Sequence, residues 1–274
     1  MLKKLIILIS LVSTSLLFAQ LEEKQLTVGD TPPDFTAMTV DGKPFKLSEH
    51  KGKYILLNFW GTWCMPCINE IPDLREIQAL YGDKDLEIVS ISAERKGKDI
   101  KSFVDSAGMK WTNISELLGD DSKNTVTNLY GVGMFPSNYL IDKNGKIAVF
   151  PLSFWKDSAG KIKMTMFQST FLYSTLVKYL GEPKNAAEAF AQSKGTVFSV
   201  VQENAKSVAI AGSFNRWGAK PMFKVNGKWA CKVDLAPGTY QYKYIVDGTW
   251  IVDPANTNIV DDGFGNKNSQ IVIK

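Results

Sequence analysis

Asn58-Phe59-Trp60-Gly61-Thr62-Trp63-Cys64-Met65-Pro66-Cys67 is the stretch whose reading decides the fold of the first half of the chain. It continues an apolar run that begins at Tyr54, short and β-prone enough to be a buried strand. Gly61 and Thr62 turn that strand into a segment expected to be helical from Pro66 to Tyr81. The two cysteines stand at the joint. A sulfur placed there meets unpaired helix N–H groups and the positive end of the helix dipole. Both favour the thiolate, which is the nucleophilic form. Two intervening residues let Cys67 reach back and attack a mixed disulfide formed at Cys64. The same spacing also serves a structural staple or half of a zinc site. A staple over so short a loop constrains the unfolded chain little. A zinc site would have to draw its remaining ligands from Cys231 and His50. The strand–helix setting favours redox chemistry.

Outward from that centre, 274 residues suggest two domains. A hydrophobic fraction of 45% and a charged fraction of 22% are ordinary for a chain with a packed core. The net charge of +4 comes without a long basic run, which argues against nucleic acid as a partner. Met1-Leu2-Lys3-Lys4, an apolar run and Ala19 have the layout of a secretory signal, so residues 1–19 are expected to be a signal peptide cut after Ala19. The apolar run is shorter than the roughly 20 residues a spanning helix needs. Export to the periplasm is the expectation, with a membrane anchor if the signal stays uncleaved. Such a compartment is one where disulfides persist and must be made, broken or shuffled.

In chain order, Thr36–Val40 and Phe45–Leu47 read as a hairpin around Asp41-Gly42. The Tyr54 strand and its helix follow, then a buried strand over Leu86–Ser92, a helix over Asp99–Ala107 and a short strand over Trp111–Ile114. Thr125–Tyr130 reads as helical, and Asn138–Asp142 pairs with Lys146–Phe150. Alternating strands and helices closed by a hairpin imply an α/β sheet covered by helices. Phe171–Leu180 is the expected closing helix, and residues 182–194 the linker, expected to be helical in part.

Asn58 to Pro72, together with Tyr130-Gly131-Val132, Phe135-Pro136 and Tyr139 to Asp142, resembles the exported thioredoxin-like thiol-disulfide oxidoreductases of the TlpA/ResA type. The likeness spans about residues 26–181. It implies a thioredoxin fold, Cys64 as attacking thiol, Cys67 as resolving thiol and a cis peptide bond at Phe135-Pro136. It also implies that the backbone before Pro136 pairs with the substrate chain. Glu70, one turn beyond Cys67, matches the Glu that this group places near its site; as a bare helix residue it reads equally as an exposed surface Glu. Asn58 stands where cytoplasmic thioredoxins carry a proton-moving Asp, a task Asn cannot perform. A peroxiredoxin would need Thr or Ser three residues before the cysteine and Pro seven before it, where this chain has Gly61 and Leu57. The stretch from Pro151 to Gln168 departs from the family and receives no role.

From Gly195 the pattern changes to short strands with regularly spaced turns, which argues an all-β sandwich of immunoglobulin-like form over residues 195–274. Cys231 shares a strand face with Trp229, Val233 and Leu235 and is expected to be a buried, inert thiol. Ala211 to Trp217, Pro237 to Trp250 and Asp253-Pro254 resemble the glycogen-binding domain of the AMP-activated protein kinase β subunit, related to isoamylase N-terminal domains. The resemblance implies Trp217 and Trp250 as sugar platforms, Lys243 and Asn268 as hydrogen-bonding groups and Phe264 as the apolar residue pushed into the glycan. Flat aromatic faces and a few polar groups are what a pyranose site needs. A sandwich that has lost its sugar and serves for docking is the competing reading.

The expectation is an exported thiol-disulfide oxidoreductase that needs no cofactor beyond its own Cys64–Cys67 pair. Its partners would be exported proteins with disulfides, an upstream thiol donor and an α-glucan or other glycan. The alternative is a glycan-binding or docking protein in which the first domain is a scaffold.

Overall fold

The computed structural model describes residues 26–82, 85–94, 100–117, 125–149, 152–156, 162–166, 169–183, 186–192 and 194–274. The expected signal peptide over residues 1–19, and residues 151, 157–161 and 167–168 of the segment from Pro151 to Gln168, lie outside the described residues.

A small hairpin of β1 (Thr36–Met38) and β2 (Pro44–Lys46) leads into β3 (Tyr54–Trp60). The strand feeds helix α1 (Met65–Tyr81), then β4 (Leu86–Glu94), α2 (Ile100–Ser106), β5 (Thr112–Leu117), the single turn α3 (Val126–Leu129), β6 (Ser137–Ile141) and β7 (Ile147–Val149). The sheet order is β5-β4-β3-β6-β7, parallel among the first three and antiparallel across β6 and β7. A thioredoxin-like α/β domain results, with β3 at its centre. Only a strand buried on both faces can be apolar on both, and Leu56, Leu57 and Phe59 are without exposed surface. Alternation sends Leu57 and Phe59 to one core with Val89, Ile91 and Tyr139. Leu56 faces the other core, against Leu74 and Ile77 of α1.

The Pro151–Gln168 stretch carries a two-stranded hairpin, β8 (Leu152–Lys156) with β9 (Ile162–Met166), ahead of α4 (Ser169–Leu180). Residues 182–194, expected as a linker, include helix α5 (Ala186–Gln192). Its Ala189 is buried in the same cluster as Leu74 and Ile77, so the segment packs where its Ala-rich composition suggested a tether.

The second domain is a sandwich. One sheet runs β10 (Thr196–Val200), β14 (Lys228–Val233), β13 (Phe223–Val225). The other runs β12 (Lys220–Pro221), β11 (Val208–Gly212), β15 (Gly238–Val246), β18 (Lys267–Ile273), β17 (Ile259–Asp261), with β16 (Thr249–Ile251) paired to β15. The short strands β12, β13 and β17 escaped the sequence reading, since two or three residues carry too little alternation to register. Between the sheets, Phe198, Ile210, Trp229, Tyr242 and Tyr244 form the core, and Cys231 lies among them with 1% of its surface exposed. Asp253 accepts hydrogen bonds from the Tyr242 hydroxyl (2.7 Å) and the Tyr244 hydroxyl (3.3 Å), which satisfies the polar ends of two buried rings.

The sandwich does not hang free. Phe223 inserts into the first domain's cluster beside Leu74, Ile77 and Leu80. Next to it, Lys220 Nζ donates to Glu76 and, at 3.4 Å, to Asp73 Oδ1, both on α1. Burial works against the Lys220 ammonium, but Glu76 and then Asp73 outweigh it and hold its pKa above the ordinary value.

Candidate functional site

Cys64 is the N-cap of α1, and its Sγ accepts the Cys67 backbone N–H at 3.3 Å. The first turn of the helix holds Pro66, whose missing N–H costs nothing there. Cys64 and Cys67 are joined by a disulfide with Cα atoms 5.3 Å apart. Cys64 keeps 5% of its surface exposed and Cys67 2%, so the first is the more open of a largely covered pair. Both pack among Trp60, Ile71, Ile100, Val104 and Met109, with Phe135 against the cluster.

The end of β4 holds the turn that presents Cys64. Glu94, 2% exposed, accepts the Thr62 backbone N–H through Oε1 and the Thr62 hydroxyl through Oε2, each at 2.8 Å. Trp63 Nε1 donates to the Ala93 carbonyl at 2.8 Å, and its indole lies so close to Gly61 that a Cβ there would sit 2.6 Å from Nε1. Trp63 then meets Phe135 edge to face, ring centroids 5.3 Å apart, at the rim of the site. The Phe135-Pro136 peptide bond is cis, as the family resemblance implies. The sequence reading missed Glu94 because it closed that strand at Ser92. The available signal was a carboxylate directly following a buried strand run, at the carboxyl end where α/β sheets gather their sites.

Glu70 is buried, with 2% of its surface exposed, which removes the reading of it as an exposed helix Glu. Asn58 Nδ2 donates to Glu70 Oε2 at 3.2 Å, and Asn138 Nδ2 donates to Oε1 at 3.0 Å. Asn58 Nδ2 also donates to Asn138 Oδ1 at 2.9 Å. The chain continues inward: Ser90 Oγ donates to Asn58 Oδ1 (3.0 Å), and Trp111 Nε1 donates to Ser90 Oγ (2.8 Å). Three strands and α1 thus bring one carboxyl group to the helix face that carries Cys67, three residues before it. Asn138 and Ser90 were not singled out from sequence, because their pairing exists only across strands.

In the second domain, Trp217 and Trp250 are 38% and 48% exposed, with ring centroids 6.3 Å apart and planes inclined at 46°. Trp217 is presented by a tight loop: its N–H donates to the Gly212 carbonyl (2.8 Å), and Asn215 bridges the Gly212 N–H (2.9 Å) and the Gly218 carbonyl (2.6 Å). Asn215 is thus a turn former. Phe264 is 90% exposed on the loop between β17 and β18. Lys243, on β15, is half-buried. Asn268 is only 3% exposed and its Nδ2 donates to Gln241 Oε1 at 2.8 Å, so its amide already has a partner in the protein. No group of three or more His, Cys, Asp or Glu side chains suited to a metal occurs among the described residues.

The fold and this cysteine pair define a thioredoxin-like thiol-disulfide exchanger. Residues 28–150 match the model of the AhpC/TSA family. Residues 196–274 match the model described as the glycogen recognition site of AMP-activated protein kinase. The thiol-disulfide oxidoreductase ResA of Geobacillus thermodenitrificans is 35% identical over 126 residues, which cover 46% of this chain and 70% of that protein. The thioredoxin-like protein YneN of Bacillus subtilis is 34% identical over 129 residues, 46% of this chain and 72% of that protein. Among solved structures, the thioredoxin domain of a thiol-disulfide oxidoreductase from Bacteroides vulgatus aligns with a TM-score of 0.46 at 28% identity, covering 57% of this chain and 99% of that one. The chain belongs to the ResA-type thiol-disulfide oxidoreductases. Its particular form joins that Cys64-x-x-Cys67 domain to a carbohydrate-binding module.

Proposed function

We propose that this protein is an exported reductase of protein disulfides, carried to its place of work by glycan binding through the second domain. The Cys64 thiolate attacks a substrate disulfide; the substrate S–S bond breaks, a Cys64–substrate bond forms, and one substrate thiolate leaves and takes a proton. Cys67 then attacks Cys64 Sγ, the second substrate thiol departs with its proton, and the Cys64–Cys67 disulfide closes. Two electrons pass to the substrate, and an upstream thiol donor restores the dithiol. Glu70 is the proton carrier of the second attack, and the backbone before Pro136 aligns the incoming chain. The periplasm is the compartment in which such work is needed.

The observation that carries this reading is Cys64 at the N-cap, its sulfur receiving a helix N–H, with the buried Glu70 one turn beyond Cys67. Insulin reduction with dithiothreitol as donor tests it: Cys64→Ser should abolish catalysed turnover while sedimentation with insoluble starch stays intact. Turnover surviving that change would sink the assignment. The exposed Trp217–Trp250 pair favours the glycan half, and Trp250→Ala should release the protein from starch without loss of insulin reduction. A protein that binds starch yet never turns over would be the glycan-binding scaffold instead.

A further inference from the structure

The hydrogen bonds behind Glu70 have a direction, and Trp111 sets it. An indole N–H donates and never accepts. Trp111 Nε1, 2.8 Å from Ser90 Oγ, makes that oxygen an acceptor and leaves the Ser90 proton to Asn58 Oδ1 at 3.0 Å. With its oxygen engaged, Asn58 turns Nδ2 toward Glu70 Oε2 (3.2 Å) and Asn138 Oδ1 (2.9 Å). That leaves Asn138 Nδ2 for Glu70 Oε1 at 3.0 Å. The bonds all run one way, from an indole beside β5 across β4 and β3 to both oxygens of one carboxyl group. Serine and asparagine alone would tolerate the reverse order, since a hydroxyl accepts as well as donates and an amide offers either end. Reversed, the chain would show Glu70 the Asn58 oxygen, which only a protonated Glu70 could satisfy. Trp111 forbids that order, and it is well placed to do so. Its indole packs against both the Leu74–Ile77 cluster and the Cys64–Cys67 cluster, and Asn113 Nδ2 holds its carbonyl at 2.6 Å.

The charges around Glu70 do not set its state by themselves. From the sheet, β3 and β6 present Asn58 and Asn138, with Ser90 behind them on β4. Glu94, on the same face of β4, is committed to Thr62. On α1 the neighbours are Cys67, Asp73, Arg75 and Glu76. Across the cleft between the domains, Lys220 holds Asp73 and Glu76, while Lys194, Arg216 and Lys232 stand with Asp234. Cations and carboxylates nearly balance there, so the aligned donors carry the preference. Donors to a charged group favour the charged form, and bonds in series polarise one another.

We infer that Trp111 is a positioning residue for disulfide exchange: through Ser90 it orients Asn58 and Asn138 so that Glu70 stands as the carboxylate that Cys67 needs. Cys67 gives its thiol proton to Glu70, and its thiolate attacks Cys64 Sγ. The departing substrate thiolate then takes the proton, so Glu70 ends as it began. The inference rests on the reading of Glu70 as proton carrier and adds what holds it ready.

The test titrates the Glu70 carboxyl in the oxidised full chain by carbon-13 NMR, with Glu70→Gln identifying its resonance. Insulin reduction with dithiothreitol as donor is followed across pH beside it. Trp111→Phe removes the donor and keeps an aromatic ring. It should raise the Glu70 midpoint by roughly half to one pH unit and carry the low-pH limb of turnover up with it. Ser90→Ala breaks the chain one bond later and should do the same, and the double variant should add no further shift. Glu94, held by Thr62, should titrate as in the wild type. A Glu70 midpoint that stays or falls in both single variants overturns the inference, as does a Glu94 midpoint that moves equally. A midpoint that rises while the low-pH limb stays put removes Glu70 from the proton transfer, and the inference falls with that reading. A wild type without turnover refutes the exchange reading itself.

Discussion

Asn138 Nδ2 lies 3.0 Å from Glu70 Oε1, so the strand that follows cis-Pro136 and the helix that follows Cys64 share one buried carboxyl group. Asn58 occupies the other oxygen. Glu70→Gln turns an acceptor into a donor that faces an asparagine amide, costing about 1–3 kcal/mol of stability. It should also slow turnover by roughly 10² or more and flatten its pH dependence if Glu70 carries the proton. Asn138→Leu keeps the carboxyl group while removing a donor, so it should shift the pH profile with a smaller loss of rate. Stopped-flow reduction across pH, with urea unfolding alongside, separates the two.

Lys220 ties β12 to the active-site helix. Lys220→Met would strand Asp73 and Glu76 without their cation. Removing one partner of a fully buried pair costs about 3–5 kcal/mol. Here Asp73 keeps 28% of its side chain exposed, so about 2 kcal/mol is expected after solvent screening. The urea midpoint should fall accordingly. An unchanged midpoint would mean that the domains gain nothing from the contact.

Cys231 is enclosed by the sandwich core, and burial pushes its thiol up to about 12, Lys220 opposing and Glu76 adding to the shift. Below that range it stays protonated and slow to react. Iodoacetamide at pH 8 should label nothing in the oxidised protein and Cys64 after mild reduction. Cys231 should react only in denaturant. Early labelling at Cys231 in mass spectra would show that the core opens.

Asp247 accepts the Ser207 and Lys206 backbone N–H groups, and these bonds, Ser207 first, hold its carboxyl below the ordinary carboxylate range. A depressed folded-state value adds stability that is complete above the unfolded value, near 3.9, and is lost as pH falls through the folded one. Asp247→Asn should therefore be less stable than the wild type at pH 7, and the gap should begin to close only below about pH 4, as pH falls toward the depressed folded value. Thermal unfolding from pH 3 to 7 reads the difference. Asn still fits the positive φ of 46° before Gly248, so the turn itself survives.

The run from Tyr54 to Trp60 was legible because a strand covered on both faces must be apolar throughout, and the cysteine spacing was legible because local geometry alone defines it. The sandwich's long strands showed through their alternation, as Trp229 and Cys231 do on β14. Glu70 was named from sequence, but a surface Glu and a buried one look alike on a helix until their partners are known. Those partners, Asn58 and Asn138, are 12 and 68 residues away. Residues 182–194 resembled a tether because alanines signal burial weakly.

The chain alone determined that a dithiol sits at a strand–helix joint and that a β-rich, tryptophan-bearing domain follows, because both are written in residues a few positions apart. Only the tertiary structure decided that Glu70 is enclosed by two asparagines, that Glu94 holds the turn before Cys64, and that Phe223 and Lys220 seat the second domain on the active-site helix. Each of these is a contact between distant segments, whose partners become known only once the chain has closed the loops between them.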